Sequence, residues 1–208
     1  MPASETSHLR IAAPPDDLCL RFANTRFWRG TAEPTEELLT PADLLGWLTR
    51  ECGLPAAALR HAEAAWHGAN GGAVLAEALR LREALFATFA GLAAGQAAAP
   101  APLAALNEAL GAAPPRLHLT LTPLDRGWDV PWASSLPALL APVLWSAGDL
   151  ALGPRAARVR QCANPACQWL FLDDSKSGNR RWCSMSACGN RAKAHRHYAR
   201  HKAAREAQ

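Results

Sequence analysis

The chain has 208 residues, half of them apolar and 19% charged, which is enough for one or two domains with a buried core and excludes a mini-protein, a chain disordered by composition and an all-membrane protein. Its formal charge of +4 is unevenly placed: residues 155–208 hold 12 Lys+Arg against 3 Asp+Glu, and residues 1–154 hold 10 against 15. A +9 tail joined to a −5 body points to a polyanionic partner for the tail, and nucleic acid is the usual one.

The first ten residues, MPASETSHLR, have neither a basic start nor an apolar stretch, so no secretory leader is expected and the cytoplasm is the expected location. Leu18 to Thr25 is a short apolar segment that reads equally as an edge element or a first helical turn. Thr40-Pro41-Ala42-Asp43 then carries the start of a helix, because Thr caps, Pro suits the first turn and Asp43 completes a capping box. Leu44, Leu45, Trp47 and Leu48 follow as its buried side. A second helix is expected over Pro55 to His67, closed by Gly68 and an Asn70-Gly71-Gly72 turn. The longest runs from Ala73 to Ala94, with Leu75, Leu79, Phe86 and Phe89 on one stripe and Leu81, Leu85 and Leu92 beside it. Residues 84–107 carry no formal charge, yet Gln96, Pro100 and Pro102 interrupt them, so they do not read as a membrane span. Leu103, Leu106 and Leu110 mark the next helix.

The period changes at Arg116 to Thr122, RLHLTLT, where apolar and polar side chains alternate before an Asp125-Arg126-Gly127 turn and Trp128-Asp129-Val130. That pattern predicts a hairpin. Ser135 to Leu152 returns to helix with a kink at Pro142, and Gly153-Pro154 closes a first domain, residues 1–154, that is expected to fold alone. Cys19 and Cys52 lack ligand spacing and read as small core hydrophobes; Trp28, Trp47, Trp66, Trp128, Trp132 and Trp145 could line a ligand pocket in the first domain, with core packing the expected use of most.

The remaining four cysteines, Cys162-x4-Cys167 and Cys183-x4-Cys188, are two close pairs separated by fifteen residues. In a reducing compartment this arrangement predicts one structural zinc in a four-thiolate tetrahedron, and loss of Cys167 is expected to unfold residues 158–200 while sparing most of the first domain. Arg158 to Gln161 leads into a knuckle at Cys162 to Cys167, Trp169 to Leu172 is a strand, Asp173 to Asn179 a polar turn, and Arg180 to Trp182 the return strand. A helix from near Ser186 carries Cys188 in its first turn, completing a treble-clef-type zinc finger. The fold class is therefore α+β: a mainly helical domain with a small hairpin, then the finger in residues 155–208.

At Cys188-Gly189-Asn190-Arg191 the segment resembles the CGNR zinc finger, a bacterial module, over residues 158–200, with all four ligand positions, Trp182 and Met185 in place. In that family the finger usually follows an ABATE domain, a class of proposed stress-induced transcription regulators. Leu20 to Thr25 resembles that domain's opening motif, with Arg21 where the motif has Asp.

Four thiolates around one dication leave the site net negative, so Lys176, Arg180, Arg181 and Arg191 read either as balancing charges or as phosphate contacts. Gly189, Asn190 and Arg191 read as a structural signature, with Arg191 bonding loop carbonyls or the sulfurs. By helical angles Cys188, Ala192, His195 and Ala199 line one side, while Asn190, Lys193, His197, Arg200 and His201 face the other. The expectation is a zinc-binding, DNA-binding transcription regulator whose candidate contacts to double-stranded DNA are Lys193, His197, Arg200, Arg180 and Arg181, with room for a small-molecule effector or a dimer contact in the first domain. The competing reading is a module that binds protein or RNA. A filled zinc shell has no open position for water, so no enzymatic activity is expected.

Overall fold

The computed structural model describes residues 8–54, 56–66, 69–123, 126–131 and 134–194. The segment left open by its sequence is a helix, α1 (Leu18–Ala23), whose side chains are buried except Arg21, which pairs with Asp17 and Glu51 at the surface. Two short strands, β2 (Arg26–Phe27) and β3 (Thr35–Glu36), pair across the loop that follows. Helix α2 (Pro41–Cys52) starts as expected: the Thr40 hydroxyl accepts the Asp43 N–H, and the Asp43 carboxylate accepts the Thr40 N–H. Leu44, Trp47 and Leu48 are buried, Leu45 is half-buried, and Trp47 meets Phe22 with ring centroids 5.0 Å apart.

Helix α3 spans Ala56–Ala65 and α4 Ala69–Ala93. The expected Asn70-Gly71-Gly72 turn is instead the first turn of α4. A Cβ at Gly71 would lie 2.5 Å from the Trp66 carbonyl oxygen, so glycine lets α4 begin tucked under the end of α3. Pro55, His67 and Gly68 lie outside the described residues. The buried face of α4 is also rotated from the expected stripe: Ala78, Leu81, Arg82, Leu85 and Phe89 point inward, while Leu75, Leu79 and Phe86 are half-buried. Arg82 is the one charged residue on this inward face. Its guanidinium is buried on Glu36, with Nη2 to Oε2 at 2.7 Å, and also reaches Glu83 and the Thr25 hydroxyl. A charge can occupy the core where it is paired and hydrogen-bonded in this way.

Helix α5 (Pro100–Ala112) buries Leu106 and leaves Leu103 and Leu110 exposed. The predicted hairpin forms from β4 (His118–Leu121) and β5 (Arg126–Pro131), with Leu119 opposite Trp128. Arg126 and Gly127 belong to the strand rather than the turn, and Asp125 lies outside the described residues. A third strand, β1 (His8–Ile11), pairs with the far side of β5 to give the order β1-β5-β4. Gly127 permits the close approach, since a Cβ there would meet the Ile11 carbonyl oxygen at 2.6 Å.

Instead of a kink, the helix around Pro142 divides into α6 (Leu136–Leu139) and α7 (Ala141–Leu152). Proline has no N–H to offer the Ala138 carbonyl, so the first helix ends before it. Beyond a 3₁₀ turn at Ala156–Arg158, β6 (Val159–Gln161) and β7 (Leu170–Leu172) form an antiparallel hairpin with the first cysteine pair at its tip. The partner of β7 is therefore β6 and not Arg180 to Trp182. In that segment the Arg180 N–H goes to the Asp173 carboxylate and the Arg180 guanidinium to the Cys183 carbonyl, and the Arg181 carbonyl accepts from Ala163, so its polar groups serve turns.

Residue 154 separates an acidic from a basic stretch, but the core continues across it. Val159, Leu170 and Leu172 belong to the same apolar cluster as Leu18, Leu85 and Leu144.

Candidate metal centre

The hairpin tip supplies Cys162 and Cys167. Of the second pair, Cys183 lies just before a one-turn π-helix, Met185–Gly189, and Cys188 within it; the turn continues as α-helix through residue 194. Ser184 caps that turn by accepting the Ala187 N–H, which places Cys188 inward. The four Sγ atoms lie within 4.8 Å of one another, with Cys167 to Cys183 at 3.7 Å and Cys183 to Cys188 at 3.9 Å. A tetrahedron with zinc–sulfur bonds of about 2.3 Å has edges of about 3.8 Å, so the donor set fits one structural zinc ion.

Burial, opposed by the Trp169 N–H, pushes the Cys167 thiol up to about 12 in the absence of a cation. At Cys188 burial acts in the same sense, but hydrogen bonds led by the Asn164 amide, 3.5 Å from Sγ, bring the thiol below its ordinary value. A dication supplies what the protein alone does not, because it stabilises all four thiolates in one small volume. Cys19 and Cys52 stand apart as buried core thiols, Cys19 held at about 12 by burial.

Each residue of the Cys-Gly-Asn-Arg signature has a distinct place. Cys188 faces the metal position. A Cβ on Gly189 would meet the Met185 Sδ at 2.8 Å and the Trp182 ring at 3.5 Å. The Asn190 amide donates to the Ser186 carbonyl at 3.3 Å and ties the turn to the helix. Arg191 lies with its guanidinium 4.7 Å from the centre of the Trp28 ring and reaches across to the first domain.

Three further contacts seat the finger; residue type marks Trp28 as a packing residue but does not mark Asn24 or Gly30. Asn24, buried at the end of α1, donates to the Leu170 carbonyl at 2.7 Å and accepts the Leu170 N–H at 3.0 Å, so its amide pairs with β7 as another strand would. Trp28 sits at φ 56° and packs on the cysteine cluster. Gly30 lies against the knuckle so closely that a Cβ would come within 1.8 Å of the Pro165 carbonyl oxygen. The resemblance at Leu20 to Thr25 was the available signal for Asn24, but its partner lies 146 residues away.

The finger's cations fall into two groups. Arg155 pairs with Asp16 and Asp174, Arg158 donates to the Ser175 carbonyl, and Arg160 to the carbonyls of Ala157 and Gly178. Arg180 reaches the Cys183 carbonyl and lies over Phe171. Asp173 organises the adjoining turn, and its carboxyl is held below the ordinary value by the Ser175 hydroxyl and then by the Arg180 and Ser175 N–H groups. By contrast Lys176, Arg181, Arg191 and Lys193 are exposed and form no ion pair among the described residues. Arg181 stacks on Trp182, and Arg181, Trp182, Arg191 and Asn164 border a groove of about 510 Å³ between the knuckle and the helix. Of the five candidate DNA contacts, Arg180, Arg181 and Lys193 are thus located, whereas His197 and Arg200, like His195 and His201, lie outside the described residues.

A mainly helical domain continued by a small four-thiolate finger defines a zinc-finger protein. The sequence pattern of the ABATE family, described as "Putative stress-induced transcription regulator", matches residues 16–154, and that of the CGNR zinc finger matches residues 158–201. The chain belongs to the ABATE family and carries a CGNR zinc finger at the expected place. Comparison with curated proteins finds no match. Among the described residues no helix is long and apolar enough to cross a membrane.

Proposed function

We propose that the protein is a cytoplasmic transcription regulator whose zinc-held finger contacts double-stranded DNA. The observation that carries this reading is the division of the finger's cations. Those engaged by carboxylates or carbonyls hold the fold together. Among the described residues Arg181, Arg191 and Lys193 remain at the surface without acidic partners, beside or near a groove whose described lining has no carboxylate. Cations left in this state next to an organised turn suit phosphate oxygens, and stacking on Trp182 and Trp28 orients the two arginines. Arg180 has less to offer, since its guanidinium is committed to Cys183 and Phe171. Zinc has no catalytic part in this reading, because four thiolates complete its shell.

The test is titration of labelled duplex DNA with zinc-loaded protein across a salt series. Affinity should fall with salt at a slope of about −0.9 per neutralised phosphate, and Lys193→Ala with Arg200→Ala should flatten the slope by roughly 2 while zinc content stays unchanged. Salt-independent binding, or none to any duplex selected from a random pool, would favour the protein- or RNA-binding module instead.

A further inference from the structure

We propose that β4 is a dimerisation edge, through which two copies of the chain join their sheets. Among the described residues the sheet order is β1-β5-β4, so this strand is the outer one, with β5 as its neighbour on the inner side. Leu119 stands opposite Trp128, and Trp128 stands opposite the buried Ile11. The apolar row therefore starts in the core and runs out beyond the last strand. Leu117, Leu119 and Leu121 are 45%, 52% and 72% exposed. Soluble proteins guard such edges with charge, proline or a covering element, yet residues 117–122, LHLTLT, contain neither a formal charge nor a proline. Six of the eight large apolar side chains exposed among the described residues lie between Leu103 and Leu152. Two of them, Leu110 and Leu152, border a shallow concavity of about 470 Å³ together with Arg116, the residue that leads into the leucine run.

The strand's own sequence argues that the occupant is a second copy. Antiparallel pairing about a two-fold axis at Leu119 places Leu119 opposite its counterpart, Leu121 opposite Leu117 and His118 opposite Thr120. Every leucine then falls on one face and no like charges meet. The result is a continuous six-stranded sheet, and the open N–H and C=O groups of both edges are paired. A strand of this length is short of the roughly 800 Å² per partner of a stable interface, and the neighbouring leucines of α5 and α7 extend the surface available.

Sedimentation and light scattering of the full zinc-loaded chain should give twice the 22.2 kDa chain mass. The pair Leu119→Lys and Leu121→Lys should yield a monomer with unchanged zinc content and circular dichroism, and Leu39→Lys, at an exposed leucine elsewhere, should stay dimeric. Under mild oxidation Leu119→Cys should form an intermolecular disulfide far faster than Leu39→Cys. A monomeric wild type, a dimer that survives both lysines, or equal cross-linking at the two positions would overturn the proposal.

Discussion

The helical body and the finger reach their order by different routes. In the body, Phe22, Leu44, Leu85, Phe89, Leu139 and Leu144 are almost fully buried in one cluster, so apolar burial carries the fold. Around the metal position the buried residues are Cys162, Cys167 and Cys188, with Trp28, Trp169 and Trp182 packed on them. So small a cluster needs a dication to hold its loops. The two routes meet at β6 and β7, whose inner side chains belong to the body's core and whose tip carries the first ligand pair. Charge and family pattern change near residue 154, but packing does not, and the finger's pose is set by Asn24, Trp28 and Gly30 of the body.

Removing the metal should have the largest effect. Cys167→Ser, or chelation of the wild type, withdraws a binding free energy on the order of 10 kcal/mol and should disorder the knuckle and the Met185 turn. The shared strands spread the damage: helical circular dichroism should persist while the body's thermal midpoint falls. This differs from the expectation that the first domain is spared, and retention of the midpoint after zinc loss would restore that expectation. Glu36→Ala should come next, at about 3 kcal/mol, because it leaves the buried Arg82 with Glu83 and Thr25 alone. Its effect should appear in urea unfolding without a change in zinc content, since Glu36 belongs to the body's own charge network. Asn24→Ala should cost about 2 kcal/mol by leaving the N–H and carbonyl of Leu170 unpaired in a buried place. Unlike Glu36→Ala, it should also weaken zinc retention in a chelator competition, because its partner lies in the hairpin that carries Cys162 and Cys167.

The same contrast explains what could be read from sequence. The capping box of α2 and the four ligands are local patterns, and each is legible within a few residues. Ion and cap chemistry restrict the spacing directly. Non-local pairings leave no such mark. The strand His8–Ile11 has no turn signal of its own and is a strand only because β5 offers it an edge. Arg82 sits in a stretch of leucines and alanines, and Glu36, which reverses its preference for solvent, is 46 residues away. Arg180 to Trp182 has the spacing of a return strand, but Asp173 takes the Arg180 N–H and Ala163 the Arg181 carbonyl, groups that a ladder would use. In the candidate site the donor atoms were therefore legible, whereas the surface on which the finger rests was not.

If the zinc finger is seated in the body as part of one cooperative unit, unfolding of the full chain followed with two probes at once will show it. Helical circular dichroism reports the body, and release of zinc to a chromophoric chelator present in limiting amount reports the finger. Coincident transitions in the wild type, which separate in Asn24→Ala with zinc released first, are the predicted result. Zinc release well before helix loss in the wild type, with no change on replacing Asn24, would make the finger an independent domain on a tether.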